Sequence, residues 1–324
     1  DDFFEKGYKI LTKNMPSNPI DKVEVLKRYS NNKLLKGIEN SNKIALNLIL
    51  KEDAKRVWFG NLTLGYGIGS ENRYNSKGNL MNFGKKNKYY FLTSLNNIGS
   101  DVTGDIWQLI KPFRYNEPAS IGDDQHVSNV LGMNTYVPNF KESRTLFNNT
   151  ELISLNTIIK PIQKLKIKTL GFFNWDENDF FRNSFQKINT NTINFTNNEN
   201  YKLKKKGFTG FGKIEVKYDI SNTKTLDLII KYNHQDENST TDLVFNRETT
   251  TEQLKHKNSL FDQKISYTNK FKKNKVFILT GRYIKEKVPQ RYTINTFLYN
   301  DLFPLDRYPV VRLLGQMVVL FLVL

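Results

Sequence analysis

The sequence predicts an all-β chain forming part of a transmembrane antiparallel β-barrel, and three patterns predict it. The first is a hairpin. In KIEVKYDISNTKTLDLIIKYN, Ile214, Val216, Tyr218 and Ile220 alternate with Lys213, Glu215, Lys217 and Asp219. After SNTK the alternation resumes, with Leu226, Leu228, Ile230 and Tyr232 between Asp227, Lys231 and Asn233. A period of two about a polar turn makes one greasy face and one wet face. The second pattern is that connections between such runs alternate short and long, as the turns and loops of an up-and-down barrel do. The third is aromatic residues near strand ends: Trp58, Tyr66, Tyr89, Trp175, Tyr218, Tyr232, Tyr267 and Tyr283. Interfacial girdles look like this, although aromatics favour strands of any kind.

The elements follow in order. Two β-like runs, Lys22 to Leu26 and Ile44 to Leu50, flank a polar segment, which suits a small mixed domain. Val57 to Gly67 opens the longer series, with Trp58, Leu62, Leu64 and Tyr66 opposite Asn61, Thr63, Gly65 and Gly67. Arg73 to Phe83, the turn GKKNK, and Tyr89 to Ile98 come next, then a long polar segment to about Asn149. Glu151 to Lys160 and Leu165 to Trp175 flank PIQK. Asp176 to about Lys206 reads as a second long loop, and HQDENSTTDLVFNRETTTEQ after the hairpin as a third. The final pair is SLFDQKISYTNKF and VFILTGRYIKEKV, joined by KKNK.

Counting gives about nine strands, an odd number where bacterial barrels close with an even one. Open edges in lipid leave backbone groups unpaired, so the chain is expected to be part of a larger barrel. The tail RLLGQMVVLFLVL loses the alternation and the Lys and Asn of the rest. It reads as a change of frame or a damaged end, with a continuously apolar strand as the alternative. The expected division is therefore 1–52, 53–310 and an atypical apolar tail, 311–324.

Composition narrows the function. Mean hydropathy of −0.55 and 38% hydrophobic residues exclude a helical membrane protein, and no apolar run of helix-spanning length precedes the C-terminus. The chain has no cysteine, which removes disulfides, thiol catalysis and cysteine-based zinc sites. A net charge of +17 invites a nucleic-acid partner. The lysines, however, are spread between apolar residues rather than gathered in one stripe, so no nucleic acid is expected. Coding bias toward Asn, Lys and Ile, or a basic surface facing anionic lipid headgroups, accounts for the charge. Asp1-Asp2-Phe3-Phe4 is neither a start nor a signal peptide, which suggests a piece of a longer protein or a mature product.

Several short motifs resemble one family. Ile20-Asp21-Lys22-Val23-Glu24-Val25-Leu26-Lys27 is similar to the run near the end of the plug domain of TonB-dependent outer-membrane receptors. Ile44 to Lys51 stands where the plug's exit strand stands. Trp58-Phe59-Gly60-Asn61, Gly65-Tyr66-Gly67, Ser94 to Ile98, Leu146 to Asn149 and Ser154 to Asn156 resemble the same family's barrel. The likeness spans roughly 8–300. It departs at Tyr29, at Leu34-Leu35 and at Ser41-Asn42-Lys43, where glycines or Tyr-Gly are usual.

The resemblance implies the C-terminal part of a small α/β plug followed by part of a barrel of about 22 strands. It implies energy-coupled uptake of a scarce substrate across the outer membrane of a Gram-negative bacterium. The implied partners are outer-membrane lipid, the TonB complex through a segment missing from this chain, the transported substrate, and a surface lipoprotein. A secreted all-β binding or adhesion module and a plugless porin-like barrel are the alternatives.

No catalytic, metal or cofactor site is expected. Asp176, Glu177 and Asp179 fall in one loop with nothing to raise a pKa, unlike the paired carboxylates of a glycosidase. His126 beside Asp123-Asp124 and His234 beside Asp236-Glu237 read as solvated loop tips before they read as calcium ligands, and His256 stands apart. Gly207, Gly210 and Gly212 sit at a strand start with no helix to follow, so they ease curvature rather than cradle phosphate. Candidate substrate contacts are the loop residues Trp107, Phe113, Arg114 and Tyr115 and, in the next loop, Phe180 and Phe181, with packing of the loops the competing role.

Overall fold

Alternating residues dominate the computed structural model, which describes residues 17–29, 32–35, 44–54, 57–100, 121, 126–134, 139–190, 192, 194–272, 275–295 and 310–323. They form β1 (Ile20–Lys27), β2 (Ile44–Leu50), β3 (Trp58–Gly67), β4 (Arg73–Phe83), β5 (Asn87–Asn96) and β6 (Phe147–Ile162). Then come β7 (Leu165–Asn189), β8 (Asn194–Asp219), β9 (Lys224–Phe245), β10 (Glu248–Lys272), β11 (Lys275–Ile294) and β12 (Val310–Val323). Among the described residues the helical content is one turn, Glu142–Thr145.

Strands β3 to β12 make one antiparallel sheet in which every strand pairs with its sequence neighbours. The order runs from β12 to β3 without closing into a barrel. The sheet has ten strands, not nine, because the apolar tail is β12, paired along β11 from Thr280↔Val323 to Thr293↔Val310. A strand apolar on both faces has no alternation to announce it. The β1 and β2 runs form a separate antiparallel pair, in which Asn47 donates to Glu24 at 3.0 Å. That bond, with Lys22 beside it, holds the Glu24 carboxyl below its ordinary pKa. The described residues before β3 contain no helix, so the mixed α/β domain expected there is represented by a β-pair alone.

Two of the expected loops are strand. Asp176 to Lys206 belongs to β7 and β8, which extend to Asn189 and from Asn194. The segment after Asn233 belongs to β9 and β10, which turn at Asn246-Arg247. Both turn residues have positive φ, 49° and 78°, the geometry of a two-residue type I′ hairpin. Asn suits the first position, and its Oδ1 accepts from the Asn198 amide at 2.8 Å. β8 alone is 26 residues long, about 85 Å of strand at ~3.3 Å per residue. The described turns 84–86, 163–164 and 220–223 are short and lie at one end of the sheet; the extended ends lie at the other.

The two faces differ in an unusual sense. The covered, inner face carries Asn96, Asn148, Thr150, Asn156, Thr225, Asn258, Asp262, Arg282 and Glu286, all at most 5% exposed. The outer face exposes Leu62, Leu64, Ile153, Leu155, Phe173, Trp175, Ile214, Tyr232 and Leu320. Within the inner face a smaller apolar cluster of Met81, Tyr90, Leu92, Leu152, Leu170, Phe172 and Phe211 receives Leu48 of β2. Residues 32–35 lie on the same side: Asn32 donates to Thr268 at 3.1 Å, and Lys33 meets Asp219 at 2.7 Å.

Candidate functional site

The inner face is polar because one parity of each strand is polar, and the antiparallel register aligns those parities. Lys213, Glu215 and Lys217 of β8 stand opposite Lys231, Ile229 and Asp227 of β9. The greasy partners Ile214, Val216 and Tyr218 stand opposite Ile230, Leu228 and Leu226 on the outer face. Lys213 is 8% exposed and pairs with Glu215, which also meets Lys168 at 3.3 Å.

Further along, the inner face holds its densest charge. Arg282 Nε and Nη2 donate to the two oxygens of Asp262, each at 2.8 Å, and Lys231 lies 3.7 Å from the same carboxylate. The planar guanidinium matches a carboxylate in this fork geometry. The third arm, Nη1, donates to the carbonyl of Ile121 at 2.7 Å.

Glu286 and Gln290, on the same face of β11, hold residues 126–134 of the long β5–β6 connection. The Val127 amide donates to Glu286 at 2.8 Å, and Asn258 donates to its other oxygen at 3.2 Å. The Val130 and Leu131 amides donate to Gln290 Oε1 at 3.0 and 3.1 Å, and Gln290 Nε2 donates to the Leu131 carbonyl at 2.8 Å. Met133 packs with Leu203 and Leu254, and Thr241 donates to its sulfur at 3.5 Å. At β12 residues 126–134 lie so close that a Cβ at Gly315 would collide with Val127 Cγ1, so any larger residue there must displace that side chain. Gln290→Ala removes the one oxygen that accepts from both amides. Each such bond contributes about 1 kcal/mol net, so amide exchange at Val130 and Leu131 is expected to speed up about 10- to 100-fold. Exchange at strand amides of β9 stays unchanged.

On β5, β6 and β7 amides and hydroxyls of the inner face gather around the Asp176 carboxylate. Asn148 donates to Asn96 Oδ1 at 3.1 Å and Thr150 at 2.9 Å, Thr150 donates to Asp176 at 2.6 Å, and Asn178 bonds the same carboxylate.

The expected contacts divide between faces. Phe180 and Phe181 lie on strand β7, not in a loop, and consecutive strand residues point opposite ways. Phe180 packs against the Met133 cluster, whereas Phe181 faces outward at 62% exposure with its ring 5.2 Å from Phe147. Trp107, Phe113, Arg114, Tyr115, Asp123 and Asp124 lie outside the described residues. Asp176 is an inner residue, while Glu177 and Asp179 are outer, paired with Lys204 and Lys206. His234 is in β9 rather than a loop, with its ring 6.3 Å from Phe208. His126 sits 3.5 Å from Glu286, and His256 is buried in β10. The three glycines of KGFTGFGK are inside β8, not at its start. The residues missed are Asp262, Arg282, Glu286 and Gln290. Asp262, Arg282 and Glu286 fall within recognised strands and Gln290 just beyond one, but nothing local announces their partners.

The outer face carries the second functional element, an apolar band. On β7 and β8 it runs from Leu165 and Tyr218 through Ile167, Val216 and Ile214 to Phe173, Trp175 and Phe208. Those last three rings cluster, with Trp175 and Phe208 5.3 Å apart, and ion pairs take over immediately beyond at Glu177–Lys206, 2.9 Å. The stretch from Leu165 to Trp175 matches the roughly ten residues a tilted strand needs to cross hydrocarbon.

The band is oblique to the rungs of the sheet. A single rung runs from Trp58 through Asn82, Tyr89, Thr157, Thr169, Ile214, Ile230 and Gln263 to Tyr283. Trp58 is the lowest aromatic of the band on β3, where Tyr66 is the highest, whereas Tyr283 is the highest on β11. The band therefore falls by its own height, about 26 Å of strand, across eight spacings or about 38 Å, a slope near 35°. Membrane barrels tilt their strands by about 35–45°.

Neither a protein-family model nor a curated protein matches this chain.

Proposed function

We propose that this chain is the plug end and part of the barrel of a TonB-dependent outer-membrane transporter, which takes up a scarce substrate by energy coupling. The oblique apolar band carries the reading. A soluble sheet buries its apolar face, and a band of bilayer height at barrel tilt suits contact with lipid. The β1–β2 pair, with Leu48 against the apolar cluster, and residues 32–35, bonded to Thr268 and Asp219, lie on the inner face and support a plug within a lumen over a plugless barrel. The open edges at β3 and β12 fit ten strands of a larger barrel, since unpaired edges have no place in hydrocarbon. Short turns face the periplasm and the extended strands face outside, where substrate and a surface lipoprotein bind; TonB acts through a segment beyond this chain.

Epistasis tests the whole reading. A strain lacking the full-length protein is competed against its parent with iron, vitamins, peptides or saccharides limiting. The expected defect appears for one nutrient class, is reproduced by loss of TonB, and is not additive with it. An additive defect, together with recovery of the protein in the secreted fraction, would establish the binding-module alternative instead.

A further inference from the structure

We propose that the short-turn rim is a binding surface for anionic phospholipid headgroups, an inference that rests on the outer band lying in lipid. Lys85 and Lys86 of the β4–β5 turn, Lys160 and Lys164 flanking the β6–β7 turn, Lys224 after the β8–β9 turn, and Lys275 at the start of β11 are all exposed. None of the six makes an ion pair among the described residues. The single acid of these turn regions, Asp219, is taken by Lys33 at 2.7 Å. At the opposite end of the same strands the cations neutralise one another's neighbours instead, in Lys204–Glu177, Arg182–Glu199 and Lys257–Asp236.

The rim lysines are also held side by side. The Lys160 amide donates to the Lys86 carbonyl, the Asp219 amide to the Lys164 carbonyl, and the Lys270 amide to the Thr223 carbonyl, each at 2.8 Å. These bonds tie neighbouring turns into one edge that follows the lower border of the apolar band. Directly above that edge stand Trp58 and Tyr89, stacked at 5.9 Å, with Tyr218 and Tyr267 further round. Aromatics of this kind sit at headgroup depth, which places the ammonium groups at the level of the phosphates. A nucleic acid would need a groove or stripe of cations; a ring bordering an apolar band meets headgroups.

Bromolipid quenching tests this with the full-length protein in vesicles, Trp58 reporting after Trp107 and Trp175 are replaced by Phe. At low salt, brominated phosphatidylglycerol is expected to be preferred over brominated phosphatidylcholine about fivefold, the effect of one basic residue near an anionic surface. The preference should fall with salt. It should vanish in the combined K85Q, K86Q, K164Q and K224Q variant, and persist when K187Q, K202Q, K255Q and K287Q remove the same charge at the other end. Strong quenching by both lipids with no preference in the unmodified protein overturns the rim proposal and leaves the membrane reading standing. Equal preference in the two quadruple variants overturns it as well. Quenching by neither lipid overturns the membrane reading itself.

Discussion

With the outer band in lipid, as proposed, Ile230→Arg is expected to lower stability by about 2–4 kcal/mol, and Ile229→Arg, one residue earlier, to change it by less than about 1 kcal/mol. The two positions share residue type, strand and depth, and differ only in face. Ile230 stands outward opposite Ile214, midway in the apolar band. Arginine there puts a charge against hydrocarbon with no acid in its rung: Ile214 lies on one side and Gln263 on the other. Ile229 faces inward between Glu215, which Lys213 and Lys168 already engage, and Lys264, so arginine there joins a charged, polar face instead of an apolar one. Denaturant unfolding from vesicles, read by tryptophan fluorescence, separates the two. Equal losses at both sites would contradict the assignment of faces.

Arg282→Ala costs about 3–5 kcal/mol, because it leaves Asp262 buried without the two donors that compensate its desolvation. Lys231, at 3.7 Å, is too distant to replace a bidentate partner. The double variant Arg282→Met with Asp262→Leu removes both charges and should recover most of that loss, since a buried pair and an apolar substitute are often near equal in energy. A double-mutant cycle in the same unfolding assay measures the coupling. A double variant as unstable as the sum of the two single changes would mean that the pair is not the unit of stability. Arg282 also donates to the Ile121 carbonyl, so its loss is expected to loosen that end of the long connection.

Much of the sheet was legible because a half-wet strand writes its faces into the sequence. The hairpin from Lys213 to Asn233 has the predicted two faces, and Trp58, Leu62, Leu64 and Tyr66 share the outer one. What failed to show was the length of β7 to β10. Beyond Trp175 both faces turn polar, as DENDFFRNSFQ shows, and alternation loses its contrast where neither face is apolar. The Asn246-Arg247 turn hid for a related reason: arginine stands where glycine usually announces a type I′ hairpin. β12 failed in the opposite way, with both faces apolar. The inner site was legible in part. Arg282 and Glu286 share one face of GRYIKEKV by parity, but Ile284 and Val288 share it too, and that they meet Asp262 and Val127 depends on register and on a connection returning from far earlier in the chain. The slope of the apolar band was invisible for the same reason, since it exists only once the rungs are drawn.

On the proposed reading the outer face lies against lipid and the inner face is wet. Because the chain has no cysteine, single cysteines can be placed at each position from 213 to 219 without removing any, and spin-labelled in the full-length protein in vesicles. Accessibility to oxygen, which partitions into lipid, and to a water-soluble nickel chelate is then measured at each site. Oxygen should dominate at 214, 216 and 218, and nickel at 213, 215, 217 and 219, with a period of two. Nickel dominating at 214, 216 and 218, or no alternation at all, would contradict it.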